Sequence, residues 1–98
     1  MMSKKIYKYT AGVADNITIY LPQGAEILHW AHMPGTTATV LTLWALVDPA
    51  APTAAYRFCV YGTGMPCESP IGLHVATVIA NPYVWHVFSE QTEEGPNG

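Results

Sequence analysis

The stretch Leu43–Gly64, LWALVDPAAPTAAYRFCVYGTG, constrains this chain most, because it holds two strand-like segments, their connection and the one arginine. Leu43 to Val47 is an apolar run too short to cross a membrane, and Asp48, Pro49 and Pro52 stop it with fixed φ values and a missing amide donor. It reads as a buried strand running into a turn. Tyr56, Phe58 and Val60 then alternate with Arg57, Cys59 and Tyr61, a period of two that puts the guanidinium on the face opposite Phe58. Gly62 to Pro66 closes the unit with a flexible turn.

The rest of the chain reads as packing around this unit. Residues 3–9 form a first strand, with Ile6 and Lys8 against Tyr7 and Tyr9, and its lysines suit a sheet edge. Asn16 to Leu21 is a second strand, with Ile17, Ile19 and Leu21 on one face, expected to hairpin with the first. Ala25 to His32 could be two turns of helix, but Gly24 and Pro34 bracket it, so a third strand is the better reading, with Ile27 facing away from Leu28 and Trp30. Strands at about 40–47 and 55–61 follow, then an irregular loop over residues 62–71, GTGMPCESPI. Gly72 to Ala80 sets Leu73, Val75 and Ile79 against His74, Ala76 and Val78. Asn81 and Pro82 turn the chain into Tyr83 to Ser89, where Val84, His86 and Phe88 oppose Tyr83, Trp85 and Val87.

Seven short strands separated by turns predict an all-β domain over residues 1–90, closed as a small antiparallel sandwich or a partly open barrel. The tail at 91–98, QTEEGPNG, is polar and acidic and is expected to be disordered. At 98 residues the chain has room for one core. Half of its residues are apolar and 11% are charged, against about 25% in an ordinary soluble domain. A surface so short of charge implies a homo-oligomer that covers part of it.

The net charge is −3 and the fixed cations are Lys4, Lys5, Lys8 and Arg57, so no basic stripe exists to bind double-stranded nucleic acid. A small anion remains compatible, since one arginine and backbone amides can hold a phosphate. The N-terminal residues have neither a signal-peptide nor a membrane-helix pattern, so a cytoplasmic setting with Cys59 and Cys67 as thiols is expected. The histidines His29, His32, His74 and His86 and the two cysteines lack zinc-ligand spacing, and no cofactor motif is present. No nucleophile signature surrounds either cysteine, and the acids lie at strand ends, so no catalytic residues are assigned. Trp30, Trp44 and Trp85 read first as packing. The alternative is stacking on a base, for which Tyr56, Tyr61 and Tyr83 are better suited because their hydroxyls tolerate a wet rim. Arg57 is either a solvated strand residue or a planar fork for a phosphate or a guanine edge, and the Gly62–Thr63–Gly64 turn is either a plain hairpin turn or a backbone nest for the same anion.

The strings LPQGAEIL at 21–28, LWALVDPAAP at 43–52, RFCVYGTGMP at 57–66 and YVWHVF at 83–88 resemble a family of small tailed-phage proteins, over roughly residues 6–90. That family is similar in character to phage inhibitors of host defence. The resemblance implies a sponge that sequesters the cyclic oligonucleotides of cyclic-oligonucleotide-based anti-phage immunity (CBASS) in the host cytoplasm. It also implies a ligand that is a cyclic di- or trinucleotide, bound without cleavage. Two approximately symmetric phosphates suit Arg57 from each of two subunits. The chain departs from the family in a longer segment between His32 and Val40 and in alanines around 50–55. The expected ligand-binding residues are Arg57, Tyr61, Thr63, Trp85 and His86, with the N-terminal lysines as helpers. The alternative class is a small structural or protein-binding module, either a minor virion component or a protein inhibitor of a host enzyme. A hydrolase is the third reading.

Overall fold

Alternation of apolar and polar residues over short stretches bounded by Gly, Pro, Asn and Asp builds strands, as a computed structural model, which describes residues 3–67 and 72–90, shows. Seven strands follow one another: β1 (Lys5–Gly12), β2 (Asn16–Pro22), β3 (Glu26–Ala31), β4 (Val40–Val47), β5 (Thr53–Gly62), β6 (Leu73–Ala80) and β7 (Tyr83–Ser89). They form two antiparallel sheets, one of three strands in the order β1-β4-β3 and one of four in the order β2-β5-β7-β6. No helix among the described residues is long and apolar enough to cross a membrane. The expected acidic tail at 91–98 lies outside the described residues.

The inner faces supply one core between the sheets. β2 contributes Ile17, Ile19 and Leu21, β4 contributes Leu41, Leu43, Ala45 and Val47, and β5 contributes Phe58 and Val60. From β7 come Trp85 and Val87, from β6 Val78 and Ala80, and from β3 Trp30, whose ring meets Phe58 edge to face at 5.1 Å. The period of two in β2, β5 and β7 thus carries directly into packing, and Arg57 does face away from Phe58.

Three expectations are corrected. β1 and β2 do not hairpin: the chain crosses between sheets at residues 13–15, and β1 pairs with β4 while β2 pairs with β5. A hairpin would have left β4 and β5 without the neighbours that cover their backbones. The crossing is instead fixed by the Val13 amide donating to the Thr39 carbonyl at 2.8 Å. In β3, a bulge at Leu28 brings Ile27 and Trp30 to the same inward face, where unbroken alternation would oppose Trp30 to Ile27. In β6, a second bulge between His74 and Ala76 breaks the expected alternation of His74, Ala76 and Val78 against Leu73, Val75 and Ile79: His74 pairs with Phe88 on the outer face, Ala76, Val78 and Ala80 turn inward, and Leu73, Val75 and Ile79 are exposed. Large aliphatic side chains ordinarily win the inside, so β6 is reversed relative to hydropathy alone.

Two tyrosine and tryptophan contacts lock the ends of the sandwich. The Tyr56 hydroxyl accepts from the amides of Gly24 and Ala25, each at 3.1 Å, and so holds the crossing from β2 to β3, where Gly24 has φ of +83°. At the other end the Trp85 indole donates from Nε1 to the Ala38 carbonyl at 2.9 Å, tying β7 to the loop between β3 and β4. Trp30 Nε1 is buried without a hydrogen-bond partner among the described residues. Comparing Trp85→Phe with Trp30→Phe isolates the anchoring bond, because both lose ring volume but one loses a made hydrogen bond. Urea unfolding is expected to show Trp85→Phe costing about 1–2 kcal/mol more than Trp30→Phe. Equal costs would mean that the Ala38 contact contributes nothing.

Candidate functional site

Because Trp85 and Val87 point inward, the residues between and beside them on β7 must point outward. His86 and Phe88 therefore stand on the outer face of the four-stranded sheet. The register then decides their company: Tyr61 of β5 and Thr77 of β6 flank His86, while Cys59 and His74 flank Phe88. Just past the end of β5, Thr63 sits in a turn that is held by its amide donating to the Val84 carbonyl at 3.1 Å.

These side chains join into one run. Thr63 Oγ1 lies 2.8 Å from His86 Nε2, His86 Nδ1 lies 3.2 Å from Thr77 Oγ1, and Thr77 Oγ1 lies 2.9 Å from His74 Nε2. A neutral imidazole has one N–H and one acceptor nitrogen, so the run has a direction: Thr63 O–H to His86, His86 N–H to Thr77, and Thr77 O–H to His74, or the reverse throughout. Beneath it lies an aromatic layer in which Phe88 meets Tyr61 at 6.1 Å and His74 at 5.4 Å, both edge to face. Tyr61 and Cys59 are buried although they face outward.

Cys59 donates its S–H to Asn16 Oδ1 at 3.6 Å. Burial, and then the Glu90 carboxylate, pushes the thiol above its ordinary value of 9.0. A hydrogen bond with Tyr61 acts in the opposite sense, and Asp15 adds to the rise. Tyr9, on the inward side of β1, is raised from 10.0 by burial and by Tyr7. Cys67 is exposed, and both cysteines are free thiols. Among the described residues no three His, Cys, Asp or Glu side chains gather to hold a metal ion.

Of the residues singled out from sequence, Tyr61, Thr63 and His86 come together. Trp85 does not join them: it packs into the core with its indole nitrogen engaged by Ala38. Arg57 shares their face but stands four residues from Tyr61 along β5, ~13 Å at the rise of an extended strand. The Gly62–Gly64 turn is not an open nest. The Gly62 amide meets Met65 Sδ at 3.1 Å, the Thr63 amide goes to Val84, and the Met65 amide donates to the Gly62 carbonyl at 3.0 Å. Of the tyrosines favoured for stacking, Tyr56 is occupied at the β2–β3 crossing, and Tyr83 lies exposed at the β6–β7 turn.

Thr77, His74 and Phe88 are site residues that sequence reasoning passed over. Thr77 was reachable, because a two-residue turn at Asn81–Pro82 pairs Ala80 with Tyr83 and hence Thr77 with His86. His74 was not, because without the bulge Val75 would stand opposite Phe88.

A family model described as Domain of unknown function (DUF7352) matches residues 2–98. No curated protein and no solved structure matches the chain.

The raised thiol sets a sign for stability against pH. A folded pKa above the unfolded one favours the protonated native state, so this contribution is complete below pH 9 and is lost as pH rises through the folded value. Tyr9 acts in the same direction at higher pH. The melting temperature is therefore expected to fall as pH climbs above about 9, and Cys59→Ala should flatten the early part of the fall. At pH 8 a thiol reagent should modify Cys67 in the native protein and Cys59 only on unfolding. Rapid native modification of both would contradict the burial of Cys59.

Proposed function

For this chain, which belongs to the DUF7352 family, we propose a non-enzymatic role: binding and sequestering a nucleotide on the outer face of the four-stranded sheet. The observation that carries this reading is the Thr63–His86–Thr77–His74 run, whose hydrogen bonds join only hydroxyls and imidazoles. None of these groups brings a negative charge to repel a phosphate, and the filled run leaves one terminal proton, on His74 Nδ1 or on Thr63 Oγ1 according to its direction, to donate to a phosphate oxygen. Phe88, backed by the buried Tyr61, and the imidazoles of His74 and His86 add planar groups, and stacking a base on such a surface is worth ~1–3 kcal/mol.

Size favours a ligand with more than one phosphate. The ~13 Å from Tyr61 to Arg57 along β5 exceeds what a free phosphate can bridge, whereas a cyclic di- or trinucleotide can engage the imidazoles with one phosphate and the guanidinium with another. Turnover is disfavoured by the same geometry. His86 does contact the Thr63 hydroxyl, but the group behind it is the Thr77 hydroxyl rather than a carboxylate. The amides of Gly62, Thr63 and Met65, which could stabilise developing charge, are already spent on Met65 Sδ, Val84 and Gly62. The biological setting, a tailed phage removing a cyclic oligonucleotide immune signal in the host cytoplasm, rests on the sequence resemblance. A second reading, a structural or protein-binding module, draws on the exposed aliphatic residues Leu73, Val75 and Ile79 of β6.

Calorimetric titration and thermal shift with cyclic and linear nucleotides test the proposal. At ~100 times its dissociation constant a bound ligand stabilises the fold by about 2.7 kcal/mol. His86→Ala and Thr63→Val are expected to weaken binding at least about tenfold, each removing a charge-assisted or hydroxyl contact. His29→Ala, on the other sheet, should leave binding unchanged, and the nucleotide should be recovered intact after heat denaturation. Failure of every nucleotide to bind, or loss of binding in His29→Ala alone, would overturn the reading.

A further inference from the structure

Four edges bound the two sheets, and they are not alike. β1 carries Lys5 and Lys8, β3 carries Glu26 and is bulged at Leu28, and β2 ends in Pro22 and exposes Asn16, Thr18 and Tyr20. Charges, bulges and proline are the ordinary devices that keep a sheet edge from pairing with another chain. β6 lacks both charge and proline, and its bulge is confined to its first half, leaving Ala76–Ala80 regular. Among the described residues β6 pairs with β7 alone, so alternate backbone groups on its other side point outward. Its exposed side chains are His74, Thr77 and three aliphatic residues, Leu73 at 61%, Val75 at 43% and Ile79 at 67%. β3 packs over β6 on the same flank of the sandwich and adds the exposed Leu28. The opposite flank, formed by β1 and β2, holds Lys5, Lys8 and, at the crossing, Asp15.

We infer that β6 is the contact strand of a homodimer, pairing antiparallel with β6 of a second copy and continuing the four-stranded sheet into one of eight. An antiparallel pair of identical strands is self-complementary about a two-fold axis, which is what a closed dimer requires. Alternation fixes the register further. Inward residues must oppose inward residues, so the axis passes a residue position and not the gap between two. Centring the pair on Val78 uses the whole regular segment: Val78 opposes itself, Ala76 opposes the partner's Ala80 on the inner face, and Thr77 opposes the partner's Ile79 on the outer face. The two Thr63–His86–Thr77–His74 runs then share one continuous outer surface. With three strand spacings between the β7 strands, the α-carbons of the two His86 residues stand about 16 Å apart. The pairing satisfies the outward backbone groups of Ala76–Ala80 and sets Ile79 against the partner's Thr77, on a chain whose 11% charge leaves aliphatic surface unprotected. It holds whether or not the face takes a nucleotide.

Sedimentation equilibrium of the full chain tests this, run from low micromolar to roughly 100 µM, a range that spans ordinary dimer affinities. The wild type is expected to be a dimer and Ile79→Lys a folded monomer, since the new ammonium would stand beside the partner's Thr77 at the interface. Ile6→Lys on β1 and Tyr20→Lys on β2, both at exposed positions, should remain dimers. Hydrogen exchange on the wild type gives a readout that needs no variant: all amides of Ala76–Ala80 should be protected, including those directed away from β7. A wild-type monomer at the top concentration, a dimer that survives Ile79→Lys, dissociation by Ile6→Lys or Tyr20→Lys, or fast exchange at alternate β6 amides would each overturn the inference.

Discussion

The hydrogen bond from the Trp85 indole to the Ala38 carbonyl, 2.9 Å long, joins the core face of β7 to the opposite sheet. It ties the four-stranded sheet to the loop of the three-stranded one, and it sets which face of β7 is inside. Once Trp85 is committed to the core, the period of two leaves His86 no choice but the outer face. The glycine at 62, paired with Trp85, belongs to the same arrangement. A Cβ there would approach Met65 Sδ at 3.0 Å and the Trp85 ring at 3.2 Å, so a side chain would push on both the indole and the turn that carries Thr63. Core and site are thus two sides of one strand.

What the residues revealed in advance follows from that periodicity, and what they hid follows from its interruptions. The alternation of β2 and β5 was legible because Ile17, Ile19 and Leu21, and Phe58 opposite Arg57, separate cleanly, whereas β7 carries large side chains on both faces, which is why Trp85 was expected at the site and is found in the core. The facing of β3 and β6 was not legible, because a bulge changes parity without any single residue type announcing it. The partners of β1 and β2 were hidden for a different reason. Turn residues at 12–16 report that the chain changes direction but not whether it returns in its own sheet or crosses to the other. The candidate site shows the same division. Thr77 beside His86 follows from counting back from Asn81–Pro82, whereas Tyr61 beside His86 depends on β5 and β7 being neighbours although β6 lies between them in sequence.

Scarcity of charge shapes the surface. With Lys4, Lys5 and Lys8 gathered in and beside β1, the four-stranded sheet presents Arg57 as its fixed cation, and its remaining polar groups are hydroxyls, imidazoles and Asn16. The proposed reading assigns to this face a ligand that stacks and shares hydrogen bonds rather than a polyanion held by counterion release. The other sheet offers an aromatic group of its own, Trp44 stacked with His29 at 6.1 Å and facing Lys8 across the pair with β1. Among the described residues that group lacks a connected run of hydroxyls and imidazoles, and for that reason the proposal takes the four-stranded sheet.

Backbone and imidazole NMR spectra recorded while a cyclic dinucleotide is titrated into the protein discriminate the faces most directly. The account predicts shifts concentrated at Tyr61, Thr63, Thr77, His86 and Phe88, with His74 and His86 ring signals moving together. Shifts centred on Lys8, His29 and Trp44, with the His86 ring unmoved, would contradict it.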